Sequence, residues 1–222
     1  MRLSLFGLLW IVSSAALGQD SRTMYADFTG TIGDRHGTIS LDYFYLWNLT
    51  KFKKLELGVG ARLTSYLGSA KYFSSAPPAL AIGHKNADSI LLQSPQINAL
   101  NLAINFGYRI SPRFGVGFNI DAIGVSFGAK QDGFYVNGSQ VQTITARPTV
   151  FNILLIDNRD RGSLNSEFYL RYFFRTSLAV KLAFQHLFTE YTTDTEVQQV
   201  PEPNDRFRNK ANLFSLGITK QF

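Results

Sequence analysis

The chain contains no cysteine, so neither a disulfide framework nor a thiolate metal site is open to it. After Val12 no apolar run approaches the roughly 18 residues that a membrane helix requires, so any bilayer crossing beyond that point must be made with strands. Charge of a single sign is also scarce. The formal net charge is +6, or +5 without Arg2, and it is spread over turns and loops rather than gathered into the basic stripe of a nucleic-acid binder. Methionine and tryptophan occur twice each, whereas phenylalanine occurs 19 times, tyrosine 10 and glycine 18 times. Aromatics and glycine in place of long helical runs suit strands and turns.

The N-terminus sets the compartment. Arg2 precedes the apolar run 3–12, and Ser13-Ser14-Ala15-Ala16-Leu17-Gly18 offers small residues where a signal peptidase reads them. Residues 1–18 are expected to be a secretory signal peptide and 19–222 the mature domain, with Gln19 near its start.

A period of two runs through eight segments: 23–32, 37–47, 55–67, 97–110, 114–128, 166–174, 178–191 and 211–222. Gly33-Asp34-Arg35-His36 makes a tight first connection. Short turns also follow the second, fourth and sixth segments, at Lys51, Lys53 and Lys54, at Ser111-Pro112-Arg113, and at Arg175-Thr176-Ser177. Longer connections follow the third, fifth and seventh, the first and last of them carrying Pro77, Pro78, Pro95, Pro201 and Pro203. This alternation collects the long loops at one end. It predicts an all-β fold, an eight-stranded antiparallel up-and-down transmembrane β-barrel with extracellular long loops and both termini in the periplasm. The apolar run 150–156 within the longest loop leaves ten strands as the alternative. An Asn-Gly hairpin is expected at Asn137-Gly138.

The two faces of the segments differ as lipid and protein interior differ. Leu100, Leu102, Ile104, Phe106, Tyr108 and Ile110 share one face of the fourth segment, opposite Asn101, Ala103, Asn105, Gly107 and Arg109. Tyr43, Tyr45, Trp47, Tyr108 and Tyr172 fall near segment ends on the apolar face, where an aromatic girdle meets headgroups. The polar face carries Asp27, Asp42, Glu56, Asp121 and Glu167 with Arg62, Arg109, Arg171 and Lys181. An eight-stranded barrel has room inside only for side chains, and buried charges persist when paired. These nine are therefore expected to form a lumen polar network that plugs the interior, with Gly58, Gly60, Gly107, Gly115 and Gly117 making room for the arginines and Tyr66. A soluble lipocalin-type barrel would instead need a Lys- and Glu-rich outer face.

The leader, the eight segments, the polar plug and the terminal Phe222 resemble the small Gram-negative outer-membrane β-barrel proteins of the OmpA-transmembrane-domain-like class. The resemblance spans the mature chain as a pattern. It implies outer-membrane localisation among lipid and lipopolysaccharide, and a C-terminal signal for the barrel insertion machinery at Phe214, Leu216, Ile218 and Phe222. Lys220 departs from that signal where an aromatic is usual. No activity follows from the class.

Catalytic candidates are thin. His186, with Glu190 four residues on, lies on the apolar face of the seventh segment, and this placement is similar to the lipid A deacylase family of eight-stranded barrels. That family's His-x-Ser reads His186-Leu187-Phe188 here, so the nucleophile is missing at that position and the Ser-His-acid logic fails. Residues 157–162 are rich in oxygen ligands, but arginines interleave and no calcium-loop spacing is met. The segment 204–210 offers bases for lipid phosphates or a solvated loop. No metal, cofactor or nucleic-acid partner is expected. The sequence favours a plugged barrel with a structural or surface-interaction role, acting through its long loops or as a subunit of an envelope complex, in which apolar runs such as 79–82 and 150–156 would meet an envelope protein partner. A lipid A-modifying hydrolase and a narrow channel or apolar-solute carrier are the alternatives.

Overall fold

The computed structural model describes residues 22–50, 54–81, 88–137, 140–155 and 159–222. The leader, Lys51, Lys53 and the Gly138 turn position lie outside the described residues.

Among the described residues thirteen strands form one antiparallel sheet. Eight are long: β1 (Arg22–Gly33), β2 (His36–Asn48), β3 (Leu55–Gly68), β6 (Gln96–Arg109), β7 (Phe114–Phe127), β11 (Leu164–Arg175), β12 (Leu178–Thr193) and β13 (Arg206–Gln221). Five are short and lie in the long connections: β4 (Lys71–Ser75), β5 (Ser89–Leu92), β8 (Gln131–Asn137), β9 (Gln140–Pro148) and β10 (Phe151–Ile153). A 3-10 turn, Pro78–Ala81, follows β4.

The long strands pair in the order β1-β2-β3-β6-β7-β11-β12-β13, and β13 pairs with β1 again. Each therefore has a neighbour on both sides, which satisfies its backbone donors and acceptors along most of its length. A second cycle shares two of these strands. It runs β12-β13-β4-β5-β8-β9 and returns to β12, at the end where the long connections lie.

Alternation is strict along β6, where Leu100, Leu102, Ile104, Phe106 and Tyr108 are exposed while Ala99, Asn101, Ala103 and Asn105 are buried. On β7 the parity switches partway. Leu102 pairs with Ile123 but Ala103 with Asp121, so Ala122 is an extra residue, a bulge. Beyond it Ile123, Val125 and Phe127 take the exposed side and Ser126 the buried one. The backbone carbonyl of Ala122 accepts a 2.8 Å hydrogen bond from the Leu154 amide, and β10 pairs with β7 beside it. The apolar run at 151–153 thus extends the main wall.

Buried side chains change character along the long strands. Near the short turns an apolar cluster gathers Tyr25, Phe44, Leu46 and Phe173. Ionic groups fill the middle. Toward the long connections a second apolar cluster joins Phe73, Ile90, Leu92, Tyr135, Ile144, Phe207 and Tyr191 of the six-strand cycle with Tyr66 of β3 and Ile97 of β6. Gln198 closes this end, accepting hydrogen bonds from Ser75 Oγ at 2.7 Å and Asn204 Nδ2 at 3.0 Å.

Candidate functional site

The most highly organised polar chemistry lies between the two apolar clusters, on the buried faces of the eight long strands. Asp42 on β2 pairs across the sheet with Arg62 on β3, and Arg171 on β11 with Lys181 on β12, because antiparallel register puts directly opposed residues on one face. Arg62 Nε donates to Asp42 at 3.1 Å and Nη1 to Asp121 at 3.0 Å, while Nη2 donates to Asn119. Asp121 also accepts from Asn101 Nδ2 at 2.7 Å and from the Asn165 backbone amide at 2.9 Å. Lys181 reaches three carboxylates: Glu167 at 2.5 Å, Asp27 at 2.9 Å and Asp42 at 3.5 Å. Arg171 donates to Asp27 at 2.7 Å, and its guanidinium lies 4.3 Å from the Tyr25 ring centre and 4.2 Å from that of Tyr169. Asn119 and Gln185 donate to the two oxygens of Glu167 at 3.0 and 2.9 Å. Charges taken out of water persist only with this density of partners.

Arg109 and Glu56 stand apart from this centre, at the end carrying the short turns, 3.8 Å from each other. Tyr25 joins them, donating to Glu56 at 2.9 Å and accepting from Arg109 at 2.6 Å. The structure therefore brings Asp27, Asp42, Arg62, Asp121, Glu167, Arg171 and Lys181 into one cluster and Glu56 with Arg109 into a second. Asn101, Asn119, Asn165, Gln185 and Thr219 complete the shell. Sequence reasoning assigned no role to these neutral residues, and their signal was only their parity with the charged ones.

The glycines make room differently from the expectation. An added Cβ at Gly117 would sit 2.3 Å from Tyr169 Oη, and one at Gly60 would sit 2.3 Å from the Phe44 ring. The space goes mainly to aromatic rings. Gly115 lies beside Arg109 and Phe173, while Tyr66 lies against Gly68.

Glu190 is not beside His186. It is fully buried and accepts from Arg206 Nε at 2.8 Å and Arg208 Nη2 at 2.7 Å, with the Gly162 amide at 3.1 Å. Strand parity puts it on the side of His186, but the segment 159–163 covers it, and both arginines also donate to the Asp160 carbonyl. Gly162 makes that cover with φ +79°, a conformation that L side chains rarely adopt. His186 is half-exposed, its Nδ1 2.6 Å from Asn212 Oδ1, and its ring meets Phe188 edge-on at 4.8 Å. Ser166 stands opposite it on β11, but its hydroxyl donates to the His186 carbonyl at 3.5 Å and not to the ring. Phe214, Leu216, Ile218 and Phe222 are all strongly exposed. Among the described residues no group of three or more His, Asp or Glu side chains is placed to hold a metal.

No protein-family model matches the sequence, and no curated protein matches it. Among solved structures the chain is similar to Ail, the attachment invasion locus protein of Yersinia pestis, at 8% identity over 92% of this chain and 100% of that one, with a TM-score of 0.39. It is similar to Neisserial surface protein A at 7% identity, 90% and 96% coverage and a TM-score of 0.39. The N-terminal β-barrel domain of Pseudomonas aeruginosa OprF gives 11% identity, 92% and 99% coverage and a TM-score of 0.35.

Proposed function

We propose that the chain is an outer-membrane protein whose eight long strands close a transmembrane barrel around a polar plug, and that it acts through the assembly raised on its long loops. One observation carries this reading: the usual distribution of residues is inverted. Phe214, Leu216, Ile218, Leu102, Phe28 and Leu41 are exposed, while Asp27, Arg62, Asp121, Glu167, Arg171 and Lys181 are buried. In water so large a contiguous apolar surface drives association. In a bilayer it is the solvated surface, and an interior of paired charges removes any need for a pore.

The plug favours a structural or surface-interaction role over conduction. Arg62, Lys181 and Arg171 span the interior, and the second apolar cluster is stacked above them. Exposed Phe134 and Val141 on β8 and β9, with Val200 in the last loop, give this end apolar contact points for a partner at the cell surface. Residues 1–18 serve as the export signal in this reading. Fractionation of cells followed by gel electrophoresis with and without boiling tests it: the protein is expected in the outer membrane with heat-modifiable mobility. Recovery in the soluble periplasm would overturn it. In planar bilayers the protein is expected to give no single-channel steps.

A second reading, hydrolysis of an acyl ester at the membrane surface, draws on the side-by-side placement of Ser166, His186 and Asn212 across β11, β12 and β13. Ser166 is not engaged with the imidazole, so the first reading stands. Mass spectrometry of lipid A with and without the protein separates the two, and an unchanged profile is expected.

A further inference from the structure

The mouth at the short-turn end holds an open cavity of about 550 Å³, and Glu56 and Arg109 of the second ionic cluster are part of its wall. Arg109 lies in it, held by Tyr25 and by Gln221 Oε1 at 3.0 Å, its guanidinium 4.1 Å from the Phe173 ring centre. Arg113 and Arg175 line the same cavity from the two adjacent turns and are exposed. Among the described residues neither has a carboxylate within 4.0 Å, although most other arginines of this chain that line a cavity or the interior are paired.

Among the described residues the charge at this end is mainly positive. Its side-chain cations are Arg22, Lys54, Arg109, Arg113, Arg175 and Lys220, and its one acid among the described residues is Glu56, already engaged by Arg109 and Tyr25. The opposite end mixes both signs, as with Lys130 and Asp194 or Arg206 and Glu190. A concave site with unpaired guanidinium groups over a third, held one attracts anions, and planar guanidinium groups match phosphate oxygens two at a time. Thr23 and Thr176 add hydroxyl groups to the wall.

We infer that this vestibule binds a phosphate ester, with Arg113 and Arg175 as the gripping groups and Arg109 at its floor. The favoured source is the headgroup of an anionic phospholipid in the adjoining leaflet. Phe174 also lines the cavity while standing exposed on the apolar face, and Phe114 and Tyr172 pack 5.1 Å apart near it. A lipid could thus keep its acyl chains along these rings and turn its phosphate over the rim. The lipid source rests on the proposed membrane reading; the anion chemistry does not.

The test uses the mature chain in nanodiscs of phosphatidylcholine with and without phosphatidylglycerol. Native mass spectrometry of the released protein counts retained lipids, and amide shifts of Arg113 and Thr176 are followed while glycerol 3-phosphate is added to discs of phosphatidylcholine alone. Phosphatidylglycerol is expected to be enriched on the wild type, by a factor falling on the order of tenfold in the R113Q/R175Q variant. An R35Q/R147Q variant, with the same charge loss at the other end, should retain it. Saturable shifts with glycerol 3-phosphate would place the ligand in solution while keeping the site. Equal phosphatidylglycerol retention in R113Q/R175Q, without such shifts, overturns the inference. Heat-modifiable mobility is read on every sample: its loss in the wild type defeats the membrane reading, whereas its presence without binding defeats the vestibule alone. The single variants R113Q and R175Q give the same readout if the pair misfolds.

Discussion

Lys181 Nζ lies 2.9 Å from Asp27 Oδ2 at a point where neither side chain keeps any exposed surface. The contact reaches over β13 from β12 to β1, and the same ammonium holds Glu167 and Asp42. One ammonium therefore touches three carboxylates, of which Arg171 also holds Asp27 and Arg62 also holds Asp42.

Lys181→Met should be among the most damaging single changes in the protein. It leaves buried carboxylates short of a partner, at a cost of about 3–5 kcal/mol. Adding Glu167→Gln removes one of the stranded charges and should recover roughly 0.5–3 kcal/mol through the coupling of the pair. Urea unfolding in detergent, followed by tryptophan fluorescence, measures both. Additive losses would show that the two groups do not interact.

Gly117→Ala puts a Cβ 2.3 Å from Tyr169 Oη and 2.6 Å from the Phe106 carbonyl oxygen. The ring cannot withdraw from the backbone side of this clash, so overpacking of about 1–3 kcal/mol is expected. The same unfolding measurement reads it, and an unchanged midpoint would mean that the wall yields there.

Glu190→Gln keeps the shape of the side chain but removes the charge that Arg206 and Arg208 share. The cover at 159–163 should open more often, and trypsin should cut at Arg159 or Arg161 on the order of tenfold faster, following the open population. Heat-modifiable mobility should persist, because the eight-strand pairing is not touched.

Two exposed apolar positions separate lipid from water. Leu216→Arg, on β13, should cost about 2–4 kcal/mol if that surface meets the middle of a bilayer. Val141→Arg, on β9 among the long connections, should shift stability by less than about 0.5 kcal/mol. Refolding into vesicles with urea titration compares them, and equal costs would contradict the placement of the membrane around β13.

Phe222→Ala removes the terminal aromatic, which is largely exposed. Assembly in cells should fall, while spontaneous refolding into detergent should be unchanged. A defect in both would make Phe222 a packing residue and not a recognition signal.

The long strands were legible because their two faces meet such different surroundings. Period-two reading places segments at 97–110 and 178–191, and the structure has Gln96–Arg109 and Leu178–Thr193. The nine charged residues follow the same parity and share the polar face of their segments. Of the five short strands, β8 and β9 flank the expected Asn137-Gly138 hairpin and β10 falls in the apolar run 150–156, whereas β4 and β5 gave no such signal. Ser89–Leu92 finds its partners at Gly133–Val136, far along the chain, so its pairing is a matter of tertiary contact and has no local signature. Glu190 shows the limit of parity itself, which gives the side of a strand and says nothing of a loop folded over that side. The vestibule was similarly hidden, since Arg113 and Arg175 belong to turns that only the pairing of β7 with β11 brings together.

The sharing of β12 and β13 by both cycles has a mechanical meaning. Force applied at the long-connection end passes down two continuous strands, joined by one unbroken ladder, into the wall below. The six-strand end and the eight-strand wall therefore respond to load as one continuous piece.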